Sequence, residues 1–479
     1  MTKHKMLAAG LATLLAGSAH IAVAQSGALP APGVNQSTAA APISMRDVVA
    51  IAVDSNPEIA QAQYNKEAIQ FERKQAQGLF APRVDVEASG GVRYLDNPGR
   101  RALNIDNDEL YPVGAEARAE WTVIDFGRRG GELRRQAARV DGASLRVLER
   151  SEFVALQVSR EYLNVLLQQR VVAASADNVA FHEALAGDLG SGVEQGSISI
   201  ADQQQAQERL QAARVRLTEA DQSLSEARII LRRLSGIDVD AVLMPPVLGE
   251  AMPGTVVDAI GLARAQNPLV REAEADVDAA HGLADSVKAE QLPRIGVDLT
   301  GRIGHDIDAT DHSTRDVQAR AFLRWNIFDG GINRANYQEH VRRASEARYR
   351  LFDVVRRAEE DVRTAWSRLD TQTRVTGDLE TQSRVSDDLL LSYRSQFNVG
   401  RRSLLDVLDA QNARYNTQVR LETARFSAMF ARYQVLATTN KFLTALDVAP
   451  GAGAGEKERE RFNYGPPRPA ELEYRKYPN

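Results

Sequence analysis

The residues best equipped for chemistry sit in one short stretch, where His305, Asp306, Asp308, Asp311 and His312 follow one another closely. Imidazole and carboxylate groups ligate divalent cations when they converge and are held in place by further partners. Here they fall in a polar run between two segments of alternating polarity, so they read as an exposed loop rather than a metal centre. Asp125-Phe126-Gly127 and Asp329-Gly330-Gly331 are glycine-bearing turns. Both lack the Lys and Ser/Thr that a phosphate cradle uses, so Asp125, Gly127, Asp329 and Gly331 mark passages from strand into helix. The other histidines are scattered, and there is no cysteine, which excludes disulfides and thiolate metal sites. No enzyme, cofactor or metal is expected, and a net charge of −5 gives nucleic acid no reason to bind.

What positions these residues is a body written twice. Asn56-Pro57 answers to Asn267-Pro268, and Pro82-Arg83-Val84 to Pro293-Arg294-Ile295, at an offset of 211 (268−57). Trp121, Asp125 and Gly127 answer to Trp325, Asp329 and Gly331, and Gly196 with Asp202 to Gly400 with Asp406, at an offset of 204 (325−121). The second register holds without a gap over a long stretch, so each copy is one structural unit. Ahead of the repeats, Lys3 and Lys5 precede an apolar run from Met6 to Ala19, and Ala22-Val23-Ala24 supplies small residues. Residues 1–24 therefore read as a secretory signal, and 25–43 as a disordered mature amino terminus. The rival reading, an uncleaved anchor, meets a run that is short and has no charged stop. The two repeats span 44–236 and 255–446, joined by a linker at 237–254, and a Gly- and Pro-rich tail at 447–479 reads as disordered.

Within each repeat, two segments alternate with period two: about 82–95 and 113–124, then 293–304 and 315–328. Val84, Val86, Ala117, Ala119, Val297, Leu299, Ala321 and Leu323 fall on apolar faces, while Asp85, Glu116, Arg118, Asp298, Arg302 and Arg320 fall on the opposite ones. Trp121 and Trp325 sit near strand ends, where interfacial aromatics belong. Such segments suit a transmembrane barrel with a wet lumen better than a soluble sheet with one solvated face. Four strands cannot close a barrel, and open edges are not tolerated in hydrocarbon. The chain must pool strands with others: eight from a dimer, twelve from a trimer, sixteen from a tetramer. The rest is helical. Rods over about 127–189 and 332–398 turn at Gly190-Ser191-Gly192 with Gly196, or at Gly400, and return as second helices. The helical hairpins cover about 127–235 and 330–446.

These residues resemble the TolC family of outer-membrane export ducts. The similarity covers about residues 44–446 and is most specific over Trp325–Gly331 and Phe397–Ala410. It implies an α+β membrane protein: a homotrimer whose strands form a twelve-stranded barrel among outer-membrane lipids, continued by a long periplasmic α-helical barrel. It also implies docking of the hairpin tips, with Gly192, Gly196, Gly400 and Arg401, to a periplasmic adaptor (a membrane fusion protein). An inner-membrane pump, either an ABC transporter or a proton-driven pump, would sit beyond. In that family the periplasmic end is a gate. Position by position, Arg402 falls on its latch arginine and Asp202 on the partner carboxylate. Asp406 and Asp409, i and i+3 on one helix face, fall where carboxylates ring the constriction. Phe397 stands where the family often has a tyrosine, so its hydroxyl bond is absent. The resemblance leaves type I protein secretion and small-molecule efflux both open, against a non-conducting coiled-coil scaffold of another class. The missing lipidation cysteine leans toward secretion.

Overall fold

In the computed structural model the described residues are 42–102, 109–196, 198–308 and 312–462. The proposed signal, most of 25–43, Asp311 and the tail beyond 462 lie outside them. Helices α1 (Met45–Ser55) and α2 (Pro57–Gly78) lead into strand β1 (Arg83–Gly90), a short α3 (Pro98–Ala102) and β2 (Val113–Ile124). Then come α4 (Arg128–Glu194) and α5 (Ile200–Ser235). The second repeat runs α6 (Val256–Gln266), α7 (Pro268–Lys288), β3 (Arg294–His305), β4 (Ser313–Arg324), α8 (Ile332–Asn398), α9 (Leu404–Thr438) and α10 (Phe442–Ala445). Helices α4 and α8 are each 67 residues long, rods of roughly 100 Å at 1.5 Å per residue.

Local chemistry sets the joints, and it does so in duplicate. Asn56 and Asn267 close one helix and cap the next, each accepting a backbone N–H two residues on, with proline at the first helical position. Gly127 and Gly331, at φ 102° and 90°, start α4 and α8 in a left-handed conformation that a side chain resists. The strands form one antiparallel sheet in the order β1-β2-β3-β4. Its register sets apolar against apolar on one face: Val84 opposite Ala119, Ala119 opposite Leu299, Leu299 opposite Ala319. That face is bare, with Val86 75 % and Val317 79 % exposed.

The fourth strand was expected to reach 328 but ends at Arg324, because β3 starts at Arg294, its last partner. Likewise β1 stops at Gly90, where pairing with Val113 ends, rather than near 95.

The main core lies where both repeats meet. Met45, Val48 and Ala52 of α1 join Val158 and Tyr162 of α4, Leu231 of α5, Tyr433 and Leu436 of α9, and Phe442. The Tyr162 hydroxyl lies 2.8 Å from the Ile43 carbonyl and 2.6 Å from that of Leu243, tying the amino-terminal segment to the linker. Along the rods, the packed neighbours run α5–α4–α9–α8.

The tail departs from expectation over 447–462. Gly451 donates its N–H to Ser151 Oγ at 3.0 Å, and Lys66 meets Glu456 at 2.6 Å. Arg459 bridges Asp141 of α4 (3.0 Å) and Asp278 of α7 (2.8 Å), while Asp141 also accepts the Glu458 and Arg459 N–H groups. Composition misled here because it registers glycine and charge, not the buried Asp141 and half-buried Asp278 waiting for that charge.

Candidate functional site

The sequence-predicted site residues fall in three groups along the fold. The first is the polar face of the sheet. Arg320 grips Asp298 with two bonds of 2.8 and 2.9 Å. Arg302 reaches Asp316 at 2.8 Å, Arg324 lies 3.5 Å from Glu120, and Arg118 lies 3.7 Å from Asp298. Like charges face each other at Glu120–Asp298 and Glu87–Glu116, and these arginines offset the carboxylates beside them.

The second layer is the strand-to-helix junction. Asp125 accepts the N–H groups of Gly127 and Arg129 and the Arg129 Nε at 2.7 Å. Burial pulls the Asp125 pKa upward, but the Arg129 and Gly127 bonds outweigh it and hold the carboxyl below its ordinary value. Arg129 also donates to the carbonyls of Thr122 and Val123, so one guanidinium fastens strand to helix. Asp329 repeats the turn with Gly331 and Asn333. Trp121 and Trp325 each donate the indole N–H to the helix-to-strand turn before it: Trp121 to Phe80 O at 2.9 Å, Trp325 to Gln291 O at 3.1 Å.

The third layer is the hairpin tips, turned at Gly196 and Gly400 with φ 73° and 72°. Gly192 accepts the Ile198 N–H, and the Arg401 N–H returns to the Gln396 carbonyl. The expected latch is not formed within the chain. The Asp202 carboxylate accepts from Ser199 Oγ at 2.7 Å, the N-cap of α5. Arg402 stacks over Tyr393, donates Nε to Gln396 Oε1 at 3.2 Å and lies 3.9 Å from Asp406. Asp406 completes a capping box with Ser403, whose hydrogen bonds hold its carboxyl below the usual range. Asp409 is exposed, while Phe397 packs with Leu404 and Leu408 on one side and Leu390 and Val407 on the other. The ring is partly buried at the hairpin tip.

Sequence reasoning missed these caps, although Ser-x-x-Asp at 199–202 and 403–406 carries the signal. It also missed a polar seam between the hairpins. Gln411 Nε2 donates to Asn178 Oδ1 at 2.8 Å, and the Ser175 and Tyr415 hydroxyls lie 2.9 Å apart, all buried. Ser175 and Asn178 at i, i+3 share a face with His182, a stripe legible in hindsight. His305 and Asp306 lie 3.5 Å apart, but Asp306 accepts the Tyr111 N–H, and no metal-competent group occurs among the described residues. No helix among them is long and apolar enough to cross a membrane.

A bare apolar sheet face, a charged opposite face and two long helical hairpins per chain define an outer-membrane channel subunit. The chain belongs to the outer membrane efflux protein family, whose model matches residues 48–237 and 259–440. It lies in the outer membrane, with its helices in the periplasm.

Among curated proteins it is 24% identical over 295 residues to the alkaline protease secretion protein AprF of Pseudomonas aeruginosa, covering 60% of this chain and 61% of that one. It is 22% identical over 351 residues to protein CyaE of Bordetella pertussis, covering 67% and 70%. The outer membrane efflux protein BepC of Brucella suis is 22% identical over 286 residues, 60% and 62% of the two chains. The fold matches the outer-membrane channel OprN with a TM-score of 0.72 at 17% identity, over 83% of this chain and 90% of that one. The Campylobacter jejuni channel CmeC gives 0.72 at 14%, over 87% and 88%.

Proposed function

We propose that this chain is the outer-membrane exit duct of a tripartite export system, passively conducting cargo handed on by an inner-membrane pump and a periplasmic adaptor. The observation that carries the reading is a shared incompleteness. The sheet ends in two unpaired edges, β1 and β4, and the helical wall ends in two edge helices, α5 and α8. Neither closes unless copies of the chain stand side by side, and hydrocarbon leaves the strands no alternative. Three copies give a twelve-stranded barrel and a twelve-helix tube.

The cargo assigned first is polypeptide, by type I secretion through an ABC transporter. Similarity to a relative named for alkaline protease secretion supports this. Small-molecule efflux is the second reading, favoured by similarity to a relative named as an efflux protein. Deleting the gene separates the two: loss of a secreted protein supports the first, and gained drug sensitivity alone supports the second. Absence of any conductance in planar bilayers would return the chain to the scaffold class.

The gate is assigned to the tips, with Asp406 and Asp409 ringing the constriction. There Asp202, held in the lone chain by the Ser199 cap, and Arg402, held by Tyr393 and Gln396, pair when copies assemble. Arg402→Ala and Asp202→Ala should each raise single-channel conductance, and unchanged conductance in both removes the latch.

A further inference from the structure

At the strand ends that adjoin the helices, each repeat serves as a control for the other. In the first, Arg83 of β1 stands opposite Glu120 of β2, and Arg83 also meets Asp85 at 3.0 Å. The equivalent pair in the second repeat is Arg294 of β3 opposite Arg324 of β4. Base faces base where the duplicate sets base against acid, an arrangement that destabilises a sheet unless an anion lies between. The like-charged acid pairs of this face have arginines beside them; the basic pair has no acid to itself. Among the described residues Arg294 makes no side-chain hydrogen bond or ion pair. Arg324 has only Glu120 at 3.5 Å, a carboxylate it shares with Arg118.

Both arginines line a cavity of 730 Å³, together with Arg128 at the start of α4, Glu290 and Asn333. Three guanidiniums meet one carboxylate there, and Glu290 is already engaged by Arg128 at 3.3 Å. Asp125 and Asp329, the acids of the adjoining turns, are bonded to the starts of α4 and α8. The remaining wall is apolar. Because β4 ends at Arg324, the cavity reaches round the strand end, and Leu323 and Trp325 line it as well, 62 % and 51 % exposed.

We infer that this cavity binds the phosphate headgroup of a phospholipid from the periplasmic leaflet. Arg294 and Arg324 grip the phosphate oxygens, Arg128 adds charge, and the acyl chains leave along Leu323 and Trp325. Guanidinium forks match phosphate oxygens two at a time, and basic pockets beside membrane segments select anionic headgroups. The level is right too. The helices lie in the periplasm, so the strand ends joined to them lie at that leaflet, where tryptophan also favours the headgroup layer. The excess of guanidinium favours a headgroup with net negative charge over a zwitterionic one. A free phosphate ion offers the same oxygens but has no use for the apolar wall.

The test takes detergent-purified protein stripped of native lipid. Phosphatidylglycerol and phosphatidylcholine are titrated in separate arms and bound lipid is counted by native mass spectrometry; inorganic phosphate is followed by equilibrium dialysis. Wild-type protein should bind phosphatidylglycerol in preference to phosphatidylcholine. Arg324→Glu restores the acid-against-base pairing of the first repeat, so it should fold while its affinity for phosphatidylglycerol falls roughly tenfold or more. Arg294→Gln should lose binding to a similar degree, and Arg315→Gln, at the far end of β4, should not. Recovery in the outer-membrane fraction confirms that each variant is folded. Equal binding by wild type and both cavity variants overturns the site, as does absence of phosphatidylglycerol binding to the wild type. Inorganic phosphate that binds through the same arginines, in protein that shows no preference between the two lipids, overturns the lipid source.

Discussion

Glu152 lies on α4 in the core where the two repeats meet, almost fully buried, and receives only a long 3.4 Å bond from the Leu443 N–H. Its second carboxylate oxygen has no hydrogen-bond partner. Burial is the dominant influence and the Leu443 bond a weak opposing one, so its pKa is pushed up to about 8 from 4.5. An acid with a raised folded pKa binds its proton more tightly in the native state. Stability is therefore undiminished below the unfolded value and falls as pH rises from about 4.5 to 8. At about 1.4 kcal/mol per unit, the loss reaches roughly 3 kcal/mol at pH 7 and about 5 kcal/mol above pH 8.

Glu152→Gln keeps the shape of the neutral acid and removes the titration. In detergent-solubilised protein unfolded by denaturant, the variant should match the wild type near pH 4.5 and exceed it increasingly up to pH 8. A difference that is constant with pH, or a variant weaker at pH 8, would refute the argument that an uncompensated carboxylate sits in this core.

Two further outcomes follow from the geometry. Leu299→Arg puts a charge midway along the lipid face of β3 and should cost about 2–4 kcal/mol of barrel stability, whereas Gln318→Arg, on the charged face, should insert normally; recovery in the outer-membrane fraction distinguishes them. Arg459→Ala leaves Asp141 and Asp278 without their shared cation and should destabilise by about 3 kcal/mol, with residues 447–462 becoming the first protease cleavage site.

Much of the architecture was legible because duplication amplifies weak signals. Each strand alone alternates over a few residues, but matching pairs at two fixed offsets made four strands and two hairpins visible. The turns at Asp125 and Asp329 were readable for the same reason. Strand ends were not, since Trp325–Phe328 has strand-like sequence but no partner within the chain. The roles of Asp202 and Asp406 were read from likeness to a gate, while the N-caps Ser199 and Ser403 three residues before them already marked both as partners of a helix start. The Asn178–Gln411 seam escaped because lone polar residues on a long polar helix look solvated until the facing helix is known. The tail escaped for a related reason: only spatial neighbours reveal that Arg459 has the buried Asp141 and the half-buried Asp278 to answer.

That arginine also imposes an order on construction. The atoms it joins are 318 and 181 residues apart in sequence, so in a chain that emerges amino end first, Asp141 waits through most of synthesis for its counter-charge. Until then α4 and α7 are joined by Arg134–Asp285 and Arg146–Glu272, and the Asp141 carboxylate is better served by water. The cinch comes last by necessity, and a prematurely stopped chain carries an unmet charge where a finished one has a knot.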